Sequence, residues 1–289
     1  SSRVEVLFID SRGNSAHPTV TLFRIPYAML KISLVRRNFH FQVAHCNLSG
    51  GASLVRKLLI ANFINICIGT PVIFQLHSSN LHKQLSGGSS WIKAFFLATV
   101  KRSAKFLVFG EVWAEEMVSL GVPSEKIEVC TLGVPDFTPD PHKLVPVEMG
   151  QIQEKPSHFY ILFCAPLVFT KGFQSLIGAL EQLNDPRLRL IVLGSGNTRY
   201  WSDYCKSKGI NAVFCGNVSL ELVNQILPLV DLFVLPSQAE NLPVSVLEAV
   251  SACVPIFVSY VGALPEYFDS QSLTWISSHS SNQIADSLR

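Results

Sequence analysis

Two glutamates in one segment are of a type that can accept hydrogen bonds from hydroxyls. In LFVLPSQAENLPVSVLEAVSACVPIFVSYVGALPE, residues 232–266, an apolar run empties into a polar loop, and Pro243 stands where a helix can begin. Glu240 lies at the mouth of that helix, and Glu248 lies about a turn and a half inside it. The backbone N–H groups of Asn241, Leu242 and the first helical turn have no acceptor within the helix, so they can donate to sugar hydroxyls or anionic oxygens. A carboxylate accepts two hydroxyls at once, and the vicinal diol of a sugar offers two. By residue type alone, Glu248 also reads as a solvated helix residue and Glu240 as a partner of the helix dipole.

Weaker signals surround this one. Lys171 precedes Gly172 in LVFTKGF; an ammonium is a suitable point charge for a phosphate, but a Lys-Gly at a helix start is commonplace. Gly194–Ser195–Gly196 follows the apolar run Leu188–Leu193, where a tight turn explains it as well as a ligand does. His77 ends the apolar run PVIFQL and reads equally as a capping or satisfied histidine. Lys31, Arg36, Arg37, Arg56, Lys57, Lys101, Arg102 and Lys105 scatter through the first half. They are either solvated faces or contacts for acidic lipid headgroups or a phosphate-bearing substrate. No Asp-x-Asp and no His/Cys set with metal-ligand spacing occurs, so no metal is expected.

The elements that must position these residues alternate along the chain. In the first half, strands are expected at Val4–Ile9, Phe41–Ala44, Pro71–Leu76, Phe106–Phe109 and Ile127–Cys130. Helices are expected at Leu22–Val35, Ala52–Ile68, Ser90–Lys101 and Trp113–Leu120. The proline-rich stretch 135–157 breaks the rhythm, giving an expected first domain 1–137, a linker 138–157 and a second domain 158–289. Beyond it the strands are Phe159–Cys164, Leu188–Leu193, Val213–Phe214, Leu232–Leu235 and Ile256–Val258. The helices are Phe173–Leu183, Tyr200–Ser207, Leu220–Ile226, Val244–Ser251 and Asn282–Leu288. Such alternation implies parallel sheets with right-handed crossovers, whose ligands sit beyond the carboxyl ends of the strands. The stretch Leu58–Leu76 carries no charge, but Gly69–Thr70–Pro71 inside it reads as a turn, so a helix followed by a strand is expected and not a membrane span.

Composition sets outer bounds. The chain has 289 residues, 48% of them hydrophobic and only 15% charged. That charge content is below the ~25% of an average soluble domain and fits strands covered on both faces. The net charge of +2, from 23 basic and 21 acidic residues, argues against nucleic acid as a partner. The seven cysteines form no C-x-x-C pair and read as small hydrophobes of a reducing compartment. No signal-peptide pattern precedes VEVLFID, and the expected location is cytoplasmic.

The segment 232–266 resembles the donor half of retaining glycosyltransferases of the family 4, or group 1, type, which are related to sucrose- and glycogen-synthase-like enzymes. Pro236–Ser237, Glu240, Pro243 and Glu248–Ala249 match that family's Glu-x7-Glu motif in its setting PS-x-x-E-x-x-P-x-x-x-x-E-A. Pro255–Glu266 is similar to its P-V-V-x-x-x-x-G-G-x-P-E. Lys171–Gly172 resembles its Lys-Gly, Gly194–Ser195–Gly196 its G-x-G, and Cys215–Gly216–Asn217–Val218 its F-x-G-x-V. In the first half, HCNLSGGASLVRK from His45 to Lys57 is similar to a signature of the bacterial exopolysaccharide and capsule subgroup. The strand ending at His77 resembles that subgroup's as well.

The resemblance implies an α/β fold of two facing Rossmann-like domains, the GT-B type. The opening strand resembles the family's second, and the last helix stops where the family continues, so the first and last elements are expected to be missing. By the same resemblance Lys171 neutralises the donor diphosphate, Glu240 meets the transferred sugar together with the Asn241–Leu242–Pro243 backbone, and Glu248 holds the ribose. Gly194, Gly196 and Val218 line the nucleotide, and His77 stands near the sugar and the donor β-phosphate. The implied reaction moves a sugar from a nucleotide diphosphate to a glycan or polyprenyl-linked glycan acceptor, with peripheral membrane contact through the first domain. The family's glycine-arginine pair, however, is replaced by Ala165–Pro166, which removes one diphosphate cation unless Arg199 or a first-half residue substitutes. This departure keeps open an alternative, an impaired homologue that binds a sugar nucleotide or a partner without turnover. An epimerase of the same architecture would need acid–base carboxylates, for which the first half offers only Glu5, Asp10, Glu111, Glu115 and Glu116.

Overall fold

The computed structural model describes residues 5–10, 18–134, 157–277 and 279–289. The chain divides into two compact units, residues 1–131 and 132–289. The expected linker, 138–157, lies outside the described residues apart from Ser157.

The first unit begins with α1 (Pro18–Arg36), followed by β1 (Ala44–Leu48) and α2 (Ala52–Phe63). α2 runs into a π-helical turn at Ile64–Ile68 and stops at Gly69, whose φ of 75° suits a residue without a Cβ. Then come β2 (Val72–Leu76), α3 (Leu81–Ser86), α4 (Ser90–Arg102), β3 (Lys105–Val108), α5 (Glu111–Leu120) and β4 (Ile127–Val129). The four strands form a parallel sheet in the order β1-β2-β3-β4. Phe74 and Phe106 from the sheet pack with Phe96 of α4, the Phe96–Phe106 rings edge to face at 6.0 Å.

The second unit alternates β5 (Phe159–Cys164), α6 (Phe173–Leu183), β6 (Leu188–Leu193), α7 (Thr198–Ser207), β7 (Ala212–Gly216) and α8 (Leu220–Ile226). It continues with β8 (Leu232–Leu235), α9 (Val244–Ser251), β9 (Ile256–Ser259), α10 (Leu264–Tyr267), β10 (Thr274–Ile276) and α11 (Ser281–Leu288). Its six parallel strands run β10-β9-β8-β5-β6-β7. Both units are therefore Rossmann-like α/β layers, the fold class expected. Ile161, Leu162 and Phe163 of β5, at 1% exposure or less, show why β5 is an unbroken apolar run: helices cover both faces of the strand.

Three expectations are corrected. Residues 5–10 form no strand, and Val6, Leu7 and Phe8 are exposed; only Ile9 packs on the cluster between α1 and α2. Their apolar run has the composition of a strand, but composition cannot supply a pairing partner. The strand placed at Phe41–Ala44 lies instead at Ala44–Leu48, because the ladder to Val72–Leu76 takes up the polar His45, Cys46 and Asn47. The short α3, α10 and β10 were not anticipated, being too brief to show a period. Leu58–Leu76 is the expected helix followed by a strand, and no helix among the described residues is long and apolar enough to cross a membrane.

Candidate functional site

In the second sheet β5 borders β6 on one side and β8 on the other. The chain leaves β5 toward β6 and leaves β8 toward β9, so the loops after β5 and β8 part at their carboxyl ends. In doubly wound sheets that parting opens the ligand crevice. The β5 loop carries Lys171, at the end of a 3-10 turn, Phe169–Lys171. The β8 loop carries Ser237 and Glu240. Lys171 Nζ donates to both carboxylate oxygens of Glu240 at 2.7 Å, and Ser237 Oγ donates to Glu240 Oε1 at 2.7 Å. Exposure falls from 23% at the Lys171 side chain to 8% at Glu240 and 0% at Ser237, so the lysine is the solvent-side member.

The two loops are fastened to each other. Gln238 N–H donates to the Thr170 carbonyl at 2.8 Å. Gly172 has a φ of 71°, and a Cβ there would fall 1.9 Å from the Pro236 carbonyl oxygen. Gly172→Ala is therefore expected to cost about 3 kcal/mol or more, combining left-handed strain with a backbone clash. Chemical denaturation checks this; a loss under 1 kcal/mol would show that the loops can separate freely.

A second clamp holds the glycine loop after β6. A Cβ on Gly194 would meet the Ala165 carbonyl oxygen at 1.9 Å, and one on Gly196 would meet Leu167 Cβ at 2.7 Å. Leu167 N–H donates to the Ser195 carbonyl, and Gly194 N–H to the Gly216 carbonyl, at 2.8 and 2.7 Å. The G-x-G thus lets three strand-end loops approach backbone to backbone. Val218 lies half-buried between β7 and α8, and Arg199 is exposed in the first turn of α7. Pro166 is exposed on the same clamp, where its missing N–H breaks no ladder.

Beyond Glu240 the chain turns tightly into α9. Leu242 is buried, and the Asn241 carbonyl accepts from Ala263 N–H at 3.0 Å. No side chain caps α9. Glu248 is half-buried on this helix, and burial raises its pKa above the ordinary carboxylate value. Cys164, at the end of β5, is pushed up to about 12, first by burial and then by the Glu248 carboxylate, so it stays a thiol beside that acid.

In the first unit His77 follows β2. Its N–H donates to the Leu48 carbonyl at 2.9 Å, and its ring lies edge-on to Phe109 at 5.3 Å. Burial, then His45 and Lys57, lower its pKa, which favours a neutral imidazole. Lys57 donates to the Asn47 carbonyl and to Ser49 Oγ, and Arg56 is buried with a bond to Ser53 Oγ at 3.1 Å. The residues of His45–Lys57 therefore hold one another around the turn from β1 into α2. No group of three His, Cys, Asp or Glu among the described residues could hold a metal.

The structure brings Lys171 and Glu240 into direct contact, sets Gly194 and Gly196 against the β5 loop, and places Glu248 within electrostatic reach of the end of β5. Ser237 was quoted in the sequence only as part of a motif; its bond to Glu240 was not foreseen. Residues 146–289 match the family described as Glycosyl transferases group 1. This chain is related to the group 1 glycosyltransferases. It is 27% identical over 237 residues, 78% of its length, to an uncharacterized glycosyltransferase of Methanocaldococcus jannaschii. It is 25% identical over 271 residues, 92% of its length, to a putative teichuronic acid biosynthesis glycosyltransferase of Bacillus subtilis. The chain spans 59% and 64% of those two curated relatives. In fold it is similar to Anabaena HepE, solved in complex with UDP-glucose, with a TM-score of 0.71 at 15% identity over 90% of this chain and 71% of that one.

Proposed function

We propose that this chain moves a sugar from a nucleotide diphosphate donor to a hydroxyl of a glycan or lipid-linked glycan, with retained anomeric configuration, in bacterial surface polysaccharide synthesis. The observation that carries this reading is the Lys171–Glu240–Ser237 cluster at the switch point of a group 1 glycosyltransferase sheet. It sets a cation for a diphosphate beside a carboxylate for sugar hydroxyls. Glu248 accepts the ribose hydroxyls, and the Gly194–Gly196 loop with Asn241, Leu242 and Val218 surrounds the nucleotide. His77, kept neutral, serves a sugar hydroxyl. Charge on the departing diphosphate is balanced by Lys171 and the α9 N-terminus, and its own oxygen takes the acceptor proton on the face of attack. No metal enters this reading. In the first unit, α1 exposes Tyr27, Leu30 and Leu34 next to Lys31 and has no acidic residue, which supports contact with an anionic lipid surface.

The test is calorimetric binding of UDP-, GDP- and ADP-sugars and their nucleotides, followed by transfer assays on a glycan-lipid extract. Binding with no turnover would favour the impaired homologue, the reading that Pro166 suggests. Pro166 supplies an internal check. Its exposed position accepts a longer side chain, so Pro166→Arg is expected to tighten nucleoside diphosphate binding about 10-fold over a Pro166→Ala control and leave nucleoside binding alone. Equal affinities for the two variants would mean that another cation already serves the second phosphate.

A further inference from the structure

We propose that Ser237 is a positioning residue that holds the Glu240 carboxylate in place when Lys171 turns to the donor. This rests on the reading above, in which Glu240 meets the transferred sugar. In the structure Lys171 gives both of its bonds with Glu240 to the two carboxylate oxygens, at 2.7 Å each. A diphosphate carries more negative charge than one carboxylate and arrives from the solvent side, where the lysine lies. It therefore draws Nζ away from Glu240. Glu240 then loses two charge-assisted bonds while only 8% exposed, so little water can replace them. A carboxylate in that state would rotate among its χ wells.

The Ser237 hydroxyl prevents this. It is fully buried and donates to Oε1 at 2.7 Å, whereas Lys171 is the more exposed of the two donors. Its mount is rigid. The preceding Pro236 carbonyl abuts Gly172, and the following Gln238 N–H is bonded to the Thr170 carbonyl at 2.8 Å. With Oε1 anchored, Oε2 is the oxygen that faces a sugar hydroxyl once Lys171 has moved. Ser237 thus separates two tasks that the Lys171–Glu240 pair combines, charge for the phosphate and orientation for the sugar.

The experiment uses the full chain and four variants: Ser237→Ala, Ser237→Thr, Glu240→Gln and the Ser237→Ala/Glu240→Gln double variant. Affinities for UDP and UDP-glucose are measured by calorimetry, with GDP/GDP-mannose and ADP/ADP-glucose arms, alongside thermal melting and turnover. Ser237→Ala is expected to reduce the affinity gained from the sugar, and kcat/KM, by about 10-fold, the worth of a hydrogen bond to a charged group. Nucleoside diphosphate affinity should move less than about 2-fold. Ser237→Thr should restore the loss, because it keeps the hydroxyl. The alanine and glutamine effects should be non-additive in the double variant, since both remove the same interaction. Should Ser237→Ala fail to melt cooperatively, Ser237→Cys, nearly isosteric with a weak donor, carries the same comparison. Equal weakening of nucleotide and nucleotide sugar, or strict additivity, overturns the proposal. If the unaltered chain gains no affinity from the sugar in any arm, the functional reading itself falls, and the role of Ser237 with it.

Discussion

Replacing Lys171 with alanine is expected to lower sugar transfer by about 100-fold or more, the scale seen when a group stabilising developing charge is removed. Nucleoside diphosphate affinity should fall less than turnover, because charge on the leaving diphosphate grows toward the transition state. Nucleoside affinity should not change. With Pro166 in place of a second cation, no neighbouring arginine in the β5 loop shares the load. At an effective dielectric near 20, a charge pair 4 Å apart is worth about 4 kcal/mol before desolvation. The contact with Glu240 adds an expectation of opposite sign. Glu240→Gln releases Lys171 from its ion pair, so diphosphate affinity should rise several-fold while transfer is lost. Affinities for nucleoside, nucleoside diphosphate and nucleotide sugar, with single-turnover rates, measure all of these. Transfer within about 3-fold of the unaltered chain in Lys171→Ala would remove the lysine from the mechanism. An unchanged diphosphate affinity in Glu240→Gln would show that the ion pair does not compete with the donor.

The second large effect concerns Glu248. In its proposed role Glu248 accepts two ribose hydroxyls, so Glu248→Ala is expected to cost about 1–3 kcal/mol in nucleoside affinity, or roughly 5- to 150-fold. Burial lifts the carboxylate above its ordinary value of 4.5, so two pH dependences of opposite sign follow. Between 4.5 and the lifted value the folded chain holds a proton that the unfolded chain has released. Stability from this group therefore falls as pH rises through that window, and changes no further above it. Ligand affinity runs the other way. In the proposed role the ionised form accepts both hydroxyls, so nucleoside affinity is expected to be full above the lifted pKa and to weaken as pH drops through it. Glu248→Gln should flatten both dependences and leave the melting temperature at neutral pH equal or slightly higher, since an unpaired partly buried charge is gone. Calorimetry and melting from pH 4 to 8 test the pair. A Glu248→Gln variant that keeps the full pH dependence of nucleoside binding would assign that titration to another group.

What the sequence determined by itself follows from local pattern. The strands Phe159–Cys164, Leu188–Leu193 and Leu232–Leu235 and the helices Phe173–Leu183 and Val244–Ser251 lie where their apolar runs and periods placed them. In a parallel layer the sequence of a strand buried on both faces is a continuous hydrophobic signal; Pro236 marks the end of one such run and Pro243 the start of the helix after it. Lys171, Glu240 and Glu248 were singled out by the family resemblance, because by residue type alone each also read as an ordinary solvated or helix-start residue. Pairing was not legible. Lys171 and Glu240 stand 69 residues apart, and their contact exists because β8 lies beside β5 in an order that departs from the sequence order. That neighbour relation also explains why Gly172 must lack a Cβ, since the obstructing carbonyl belongs to Pro236 in the other loop. The run Val6–Ile9 marks the opposite limit, apolar enough for a strand and yet in no strand of the structure. Local propensity selects a backbone shape within a few residues. A ladder, an ion pair or a close backbone approach needs a second segment brought alongside, and only the folded sheet decides which one arrives.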